Sequence, residues 1–104
     1  MATKNIAGVN VNVNEDGYLT DHSQWTRGIG EAIAKEEGIE LTGQHWKVLE
    51  FLQKEVKENG ALPTIRRLTK SGVVDTKTLY QLFPNGPLKK ASKIAGLEKP
   101  ASCV

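Results

Sequence analysis

The chain has 104 residues, a net charge of +2, 38% hydrophobic residues and a mean hydropathy of −0.39. That is enough for one domain burying roughly two-thirds of its unfolded surface. No apolar run approaches the ~18 residues a helical membrane span requires, and a single cysteine excludes an internal disulfide.

Residues Gly8 to Val13 alternate apolar and polar, with valines at 9, 11 and 13, the period of a half-buried strand. Gly8 is expected at the turn of a small hairpin, and Asn14-Glu15-Asp16-Gly17 at a second turn. The first helix is expected to start at Asp21 or Ser23 and run through Trp25, Ile29, Ala32 and Ile33 to about Glu37. Gly28 and Gly30 each weaken it by roughly 1 kcal/mol relative to alanine. The second helix is capped by Thr42, carries an apolar stripe of Trp46, Leu49, Phe51, Leu52 and Val56, and stops at Gly60. Pro63 suits the first turn of a third helix with Ile65 and Leu68, which Ser71-Gly72 breaks. Asp75 caps a fourth, with Leu79, Tyr80, Leu82 and Phe83 inward. After a turn over residues 84–87, Leu88 to Ala95 form a last short helix. The expected fold is mainly α: a small helical bundle with an N-terminal β-hairpin, in which residues 1–96 form the domain and 97–104 a mobile C-terminal arm. The glycine at 96 ends the helix, and Pro100 forbids its resumption.

The charge is unevenly divided. Residues 1–62 carry six Lys or Arg against ten Asp or Glu, whereas residues 63–104 carry eight against two. A basic C-terminal half either forms a solvated face or attracts acidic partners and polyanions. The opening Met1-Ala2-Thr3-Lys4-Asn5 lacks the apolar stretch of a secretory signal. A cytoplasmic location is expected, where one unpaired thiol suits a reducing compartment.

That thiol, Cys103, is the chief candidate for chemistry. Seven residues beyond Gly96, it has a reach of about 23 Å at roughly 3.3 Å per residue. Lys93 and Lys99 favour its thiolate, and the carboxylate of Val104 opposes it. His22 and His45, the two histidines, have no metal-ligand spacing with the cysteine, and His45 reads as a packing or capping residue. No metal and no cofactor is expected, and no Ser-His-Asp set or phosphate loop points to a self-contained enzyme. The segment from Pro63 to Phe83 has a helix-turn-helix outline, with Thr76, Lys77 and Thr78 opening its second helix. A DNA-binding regulator is therefore an alternative reading.

The stretch from Gly86 to Val104, GPLKKASKIAGLEKPASCV, closely resembles the C-terminal signature of the DsrC/TusE family of sulfur-relay proteins. Asp16-Gly17-Tyr18-Leu19, Trp25, His45-Trp46, the Pro63…Arg66…Leu68…Lys70 segment and Leu79 to Pro84 carry the resemblance along nearly the whole chain. It implies a sulfur carrier whose penultimate cysteine, here Cys103, takes sulfur as a persulfide and delivers it. The upstream partner implied is a sulfurtransferase of the TusBCD/DsrEFH type. The downstream partner is a tRNA-thiolating enzyme, through which nucleic acid is reached, or dissimilatory sulfite reductase. In the DsrC branch a second arm cysteine completes a trisulfide; here Ser92 stands at its place, eleven positions before Cys103. A hydroxyl cannot carry persulfide sulfur, so only single-thiol transfer is open to this chain. Either it is a natural single-cysteine member, or serine has replaced a cysteine. The short Ser71–Asp75 loop and the Glu98 in place of a usual arm proline leave the branch open. The family's arginine, Arg66, and Lys70 either steer the arm or bind an anionic sulfur group, or form a solvated basic face.

Overall fold

The first turn shows how local chemistry sets the architecture. In the computed structural model, which describes residues 2–98, Ala7 and Gly8 both take positive φ, 54° and 80°. That is a two-residue type I′ turn, whose twist matches paired strands. It joins β1 (Ala2–Ile6) to β2 (Val9–Val13) antiparallel, with Ile6 opposite Val9 and Ala2 opposite Val13. Val11 and Val13 are buried while Val9 is 48% exposed, so only the inner end of the strand faces the core. At the second expected turn Asn14 Oδ1 accepts from the amides of Asp16 and Tyr18 (2.9 and 3.0 Å), bringing Leu19 back beside Val13.

The expected first helix is in fact two elements. Asp21 caps a 3-10 turn, His22–Gln24, by accepting from the Ser23 amide; Trp25 is then extended, and Thr26 restarts the chain as α1 (Arg27–Glu36). The break has a physical cause. Trp25 turns inward to donate Nε1–H to the carbonyl of Ile94 at 2.7 Å. Gly30 makes room for it, since a Cβ there would lie 3.0 Å from the indole and 3.1 Å from the Ile94 carbonyl. The glycine's helix cost thus permits a close approach.

Helix α2 (Gly43–Asn59) begins after Thr42 and ends at the left-handed Gly60, as its sequence predicts. Its buried face is His45, Val48, Leu49, Leu52 and Glu55. Trp46, Phe51 and Val56 pack half-buried against the core, so the expected stripe is displaced by the two partnered polar residues. Helix α3 (Ile65–Lys70) takes Thr64 as its cap, leaving Pro63 outside the helix. Helix α4 (Thr76–Leu82) is capped by Asp75, whose Oδ1 accepts from the Thr78 amide at 2.7 Å. Leu79 and Phe83 are buried, but Tyr80 is 47% exposed, contrary to its expected inward place. The 100° rotation from Leu79 carries its ring to the outside. Helix α5 (Pro87–Ile94) opens with Pro87 and buries Leu88, Ala91, Ser92 and Ile94 against α1, α2 and α4. No described helix is long and apolar enough to cross a membrane.

Candidate functional site at the root of the arm

Cys103 and Lys99 lie outside the described residues, so the site is built from the segment that launches the arm. Helix α5 finishes in a Schellman arrangement. The Leu97 amide donates to the Ser92 carbonyl (2.9 Å) and the Gly96 amide to the Lys93 carbonyl (3.2 Å). Gly96 sits at φ +73°, where an added Cβ would fall 2.4–2.8 Å from Trp25. Only glycine fits, for both backbone and space. Leu97, expected to begin the arm, is 4% exposed and belongs to the core, and Glu98 is at the surface.

Three consecutive carbonyls at this helix end are then capped from elsewhere. Trp25 Nε1 serves Ile94, Gln53 Nε2 on α2 serves Ala95 at 2.9 Å, and His22 Nδ1 serves Gly96 at 3.0 Å. A carbonyl can only accept, so Nδ1 of His22 carries a proton. The imidazole also stacks on the Trp25 indole, centroids 6.2 Å apart and planes 14° from parallel. Orphan carbonyls are ordinarily met by water or by basic side chains. Here they are met by side-chain N–H groups drawn from distant parts of the sequence.

Ser92 is fully buried, and its Oγ has no hydrogen-bond partner among the described residues. Lys93 reaches towards Glu37, 3.6 Å from its carboxylate, and lies against Gly17. Beside the root, a cleft of about 1090 Å³ is lined by Leu19, Thr20, His22, Gln53, Lys54, Lys57, Leu62 and Gly96–Glu98 among others. Lys54 also borders a neighbouring groove of about 760 Å³ that contains Phe51, Arg66, Arg67 and Lys70. The structure therefore brings the arm's root, Lys54 and the α3 cations along one surface, and leaves Lys93 off it.

Within that groove the arginines differ. Arg67 Nε donates to Glu55 Oε1, while Asn59 Nδ2 donates to Glu55 Oε2 at 2.7 Å. The hydrogen bond from Arg67 holds the Glu55 carboxyl below the usual carboxylate range, against the opposing effect of desolvation. Arg66 and Lys70 have no ion-pair partner among the described residues. Arg67 is thus spent on a buried carboxylate rather than offered to a phosphate.

His45 fills the capping role expected of it. Its Nδ1 accepts from the Thr42 amide at 3.1 Å, its Nε2 donates to the Leu82 carbonyl at 2.9 Å, and its ring meets Phe83 edge to face. Among the described residues no cluster of three His, Cys, Asp or Glu can hold a metal ion. His22 and Gln53 were invisible as site residues in the sequence, where each is one polar residue with no motif around it. Their signal is long-range, a bond to a carbonyl 74 or 42 positions away.

Residues 5–104 match the family described as DsrC like protein. The Sulfurtransferase TusE of Salmonella paratyphi A is 39% identical, over 93% of this chain and 95% of its own. The solution structure of Allochromatium vinosum DsrC has a TM-score of 0.85 at 38% identity, covering 98% of this chain and 97% of that one. The oxidized gamma-subunit of dissimilatory sulfite reductase from Archaeoglobus fulgidus has a TM-score of 0.85 at 35% identity, covering 99% and 100%. The DNA-binding alternative finds no support among these relatives, and the succession of α3 and α4 does not establish a helix-turn-helix reader. With its hairpin, five α-helices among the described residues and glycine-ended α5, this chain belongs to the DsrC-like protein family.

Proposed function

We propose that the chain is a sulfur carrier acting through Cys103. The observation that carries the reading is the contrast at the end of α5, in a chain similar to proteins named sulfurtransferase TusE. Leu97 is locked in the core, and Cys103 follows six residues later, within roughly 20 Å of that anchor at 3.3 Å per residue. In the loading step the Cys103 thiolate attacks the sulfane sulfur of a donor persulfide. A new S–S bond forms at Cys103, the donor's S–S bond breaks, and the donor cysteine leaves as thiolate. No net oxidation occurs. Delivery is the same displacement with an acceptor nucleophile, Cys103 now leaving as thiolate, so thiolate fraction and geometry govern the rate. Arg66, Lys70 and Lys54 form the basic surface past which the anionic persulfide travels.

The donor is an upstream sulfurtransferase of the TusBCD/DsrEFH type, the acceptor a tRNA-thiolating enzyme, and the compartment the cytoplasm. The test is intact mass after incubation with a persulfide-loaded sulfurtransferase, beside a Cys103→Ser control. A reductant-sensitive gain of ~32 Da, seen only with Cys103, is the expected outcome. No gain with competent donors defeats the reading. The likeness to the sulfite reductase gamma-subunit favours a second reading, a single-thiol partner of such a reductase. Co-sedimentation with that enzyme, with and without Cys103, separates the two.

A further inference from the structure

We infer that His22 is a positioning residue for sulfur transfer, holding the Gly96–Leu97 peptide through which the chain leads on to Cys103. The inference rests on the carrier reading for its functional half and on geometry alone for its structural half.

The three capped carbonyls are not equivalent. Ile94 and Ala95 lie at the helix end, and their bonds to Trp25 and Gln53 fasten α5 to the body. The Gly96 carbonyl lies one residue further, in the peptide joining Gly96 to Leu97. Glycine has the freest backbone of any residue, so the chain's exit direction is least determined at this position. His22 removes that freedom by gripping the carbonyl oxygen, while the Leu97 amide of the same peptide is gripped by Ser92. Both polar ends of one peptide plane are thereby fixed. The imidazole is itself held by its stack on Trp25 and by the Asp21-capped turn that carries it. A preorganised donor loses little entropy on making its bond. His22 also lines the cleft beside Leu97 and Glu98, where a donor or acceptor protein would meet the arm.

The test separates the bond from the ring. His22→Phe keeps an aromatic ring over Trp25 and deletes the donor, whereas His22→Asn offers an amide N–H in place of Nδ1–H. Two quantities are read on the full chain: exchange of the Leu97 amide, and the rate of sulfur transfer from a persulfide-loaded sulfurtransferase. Alkylation of Cys103 by iodoacetamide and the melting temperature serve as controls. Loss of one hydrogen bond should speed Leu97 exchange and slow transfer by roughly 5-fold in His22→Phe. Alkylation should stay at the wild-type value, melting should fall by only the few degrees that one hydrogen bond accounts for, and His22→Asn should recover most of these losses. A His22→Phe protein that exchanges Leu97 and transfers sulfur like wild type overturns the inference. So does a folded His22→Asn protein that recovers neither. If the wild-type chain takes up no sulfur, the carrier reading fails, and the hold on the peptide is judged by Leu97 exchange alone.

Discussion

The arm's root and the α3 groove are both places where the sequence points to polar chemistry, and they solve it in opposite ways. At the root, three side-chain N–H donors from His22, Trp25 and Gln53 meet three backbone carbonyls. In the groove, charge meets charge: Arg67 is committed to buried Glu55, and Arg66 and Lys70 remain open to solvent. The lesson is that a segment can be aimed without ion pairs. Carbonyls need donors rather than cations, so a map of charge finds the groove and misses the root.

The sharpest way to break the comparison is at Gly96. Gly96→Ala combines a left-handed backbone with a Cβ 2.4 Å from the Trp25 ring, and should cost about 2–5 kcal/mol. Gly72→Ala, at φ +85° with nothing within 4 Å of its would-be Cβ, should cost only about 1 kcal/mol. Urea midpoints of the two variants measure the difference, and equal losses would deny the root its special packing.

In the groove the matching test is pH. The folded Glu55 carboxyl is held low by Arg67, so the unfolded chain binds its proton more readily. The pair's stabilisation is therefore complete above the unfolded carboxylate range, near pH 4–5, and is lost as pH falls through the lower folded value. Asp21 and Asp75, lowered chiefly by bonds to Ser23 and Thr78, add the same sign. Arg67→Met should flatten the acid side of a urea-midpoint profile by Glu55's share and leave the aspartates' share in place. An unchanged profile would mean that Arg67 does no electrostatic work there.

Ser92→Ala sharpens the contrast from inside the core. Removing an unpartnered buried hydroxyl should stabilise the protein by about 1 kcal/mol, read as a higher urea midpoint. A loss of that size instead would show that the oxygen is satisfied. Smallest of all, Arg66→Gln and Lys70→Gln should each change stability by less than about 0.5 kcal/mol, since neither has an ion-pair partner among the described residues. A lower sulfur-transfer rate at unchanged stability would assign them to the anion's path.

Local rules made much of this fold legible. Gly8, Thr42, Gly60, Asp75 and Pro87 each mark a boundary through a cap, a stop or a turn whose chemistry is written within four residues. The failures come from contacts that span the chain. Trp25 breaks the first helix because its partner is Ile94. His45 and Glu55 enter the core because Leu82, Arg67 and Asn59 satisfy them, which no apolar stripe records. Cys103 stands as the candidate thiol on composition and position alone, since the chain has one cysteine. The residues that hold the arm's root are not legible in this way, because a polar side chain declares its partner only once the fold brings that partner near.

The indole of Trp25 has an optical consequence. The chain contains two tryptophans, and these two rings lie 6.4 Å apart in an edge-to-face pair. One of them is bonded to the end of α5, stacked on His22 and pressed against Gly96; the other sits beneath the guanidinium of Arg27 at 4.0 Å. Nearly all the ultraviolet emission of the molecule thus arises beside the end of α5. Docking, loading or release that shifts this peptide changes the surroundings of an intrinsic fluorophore, and the carrier reports its own traffic without a label.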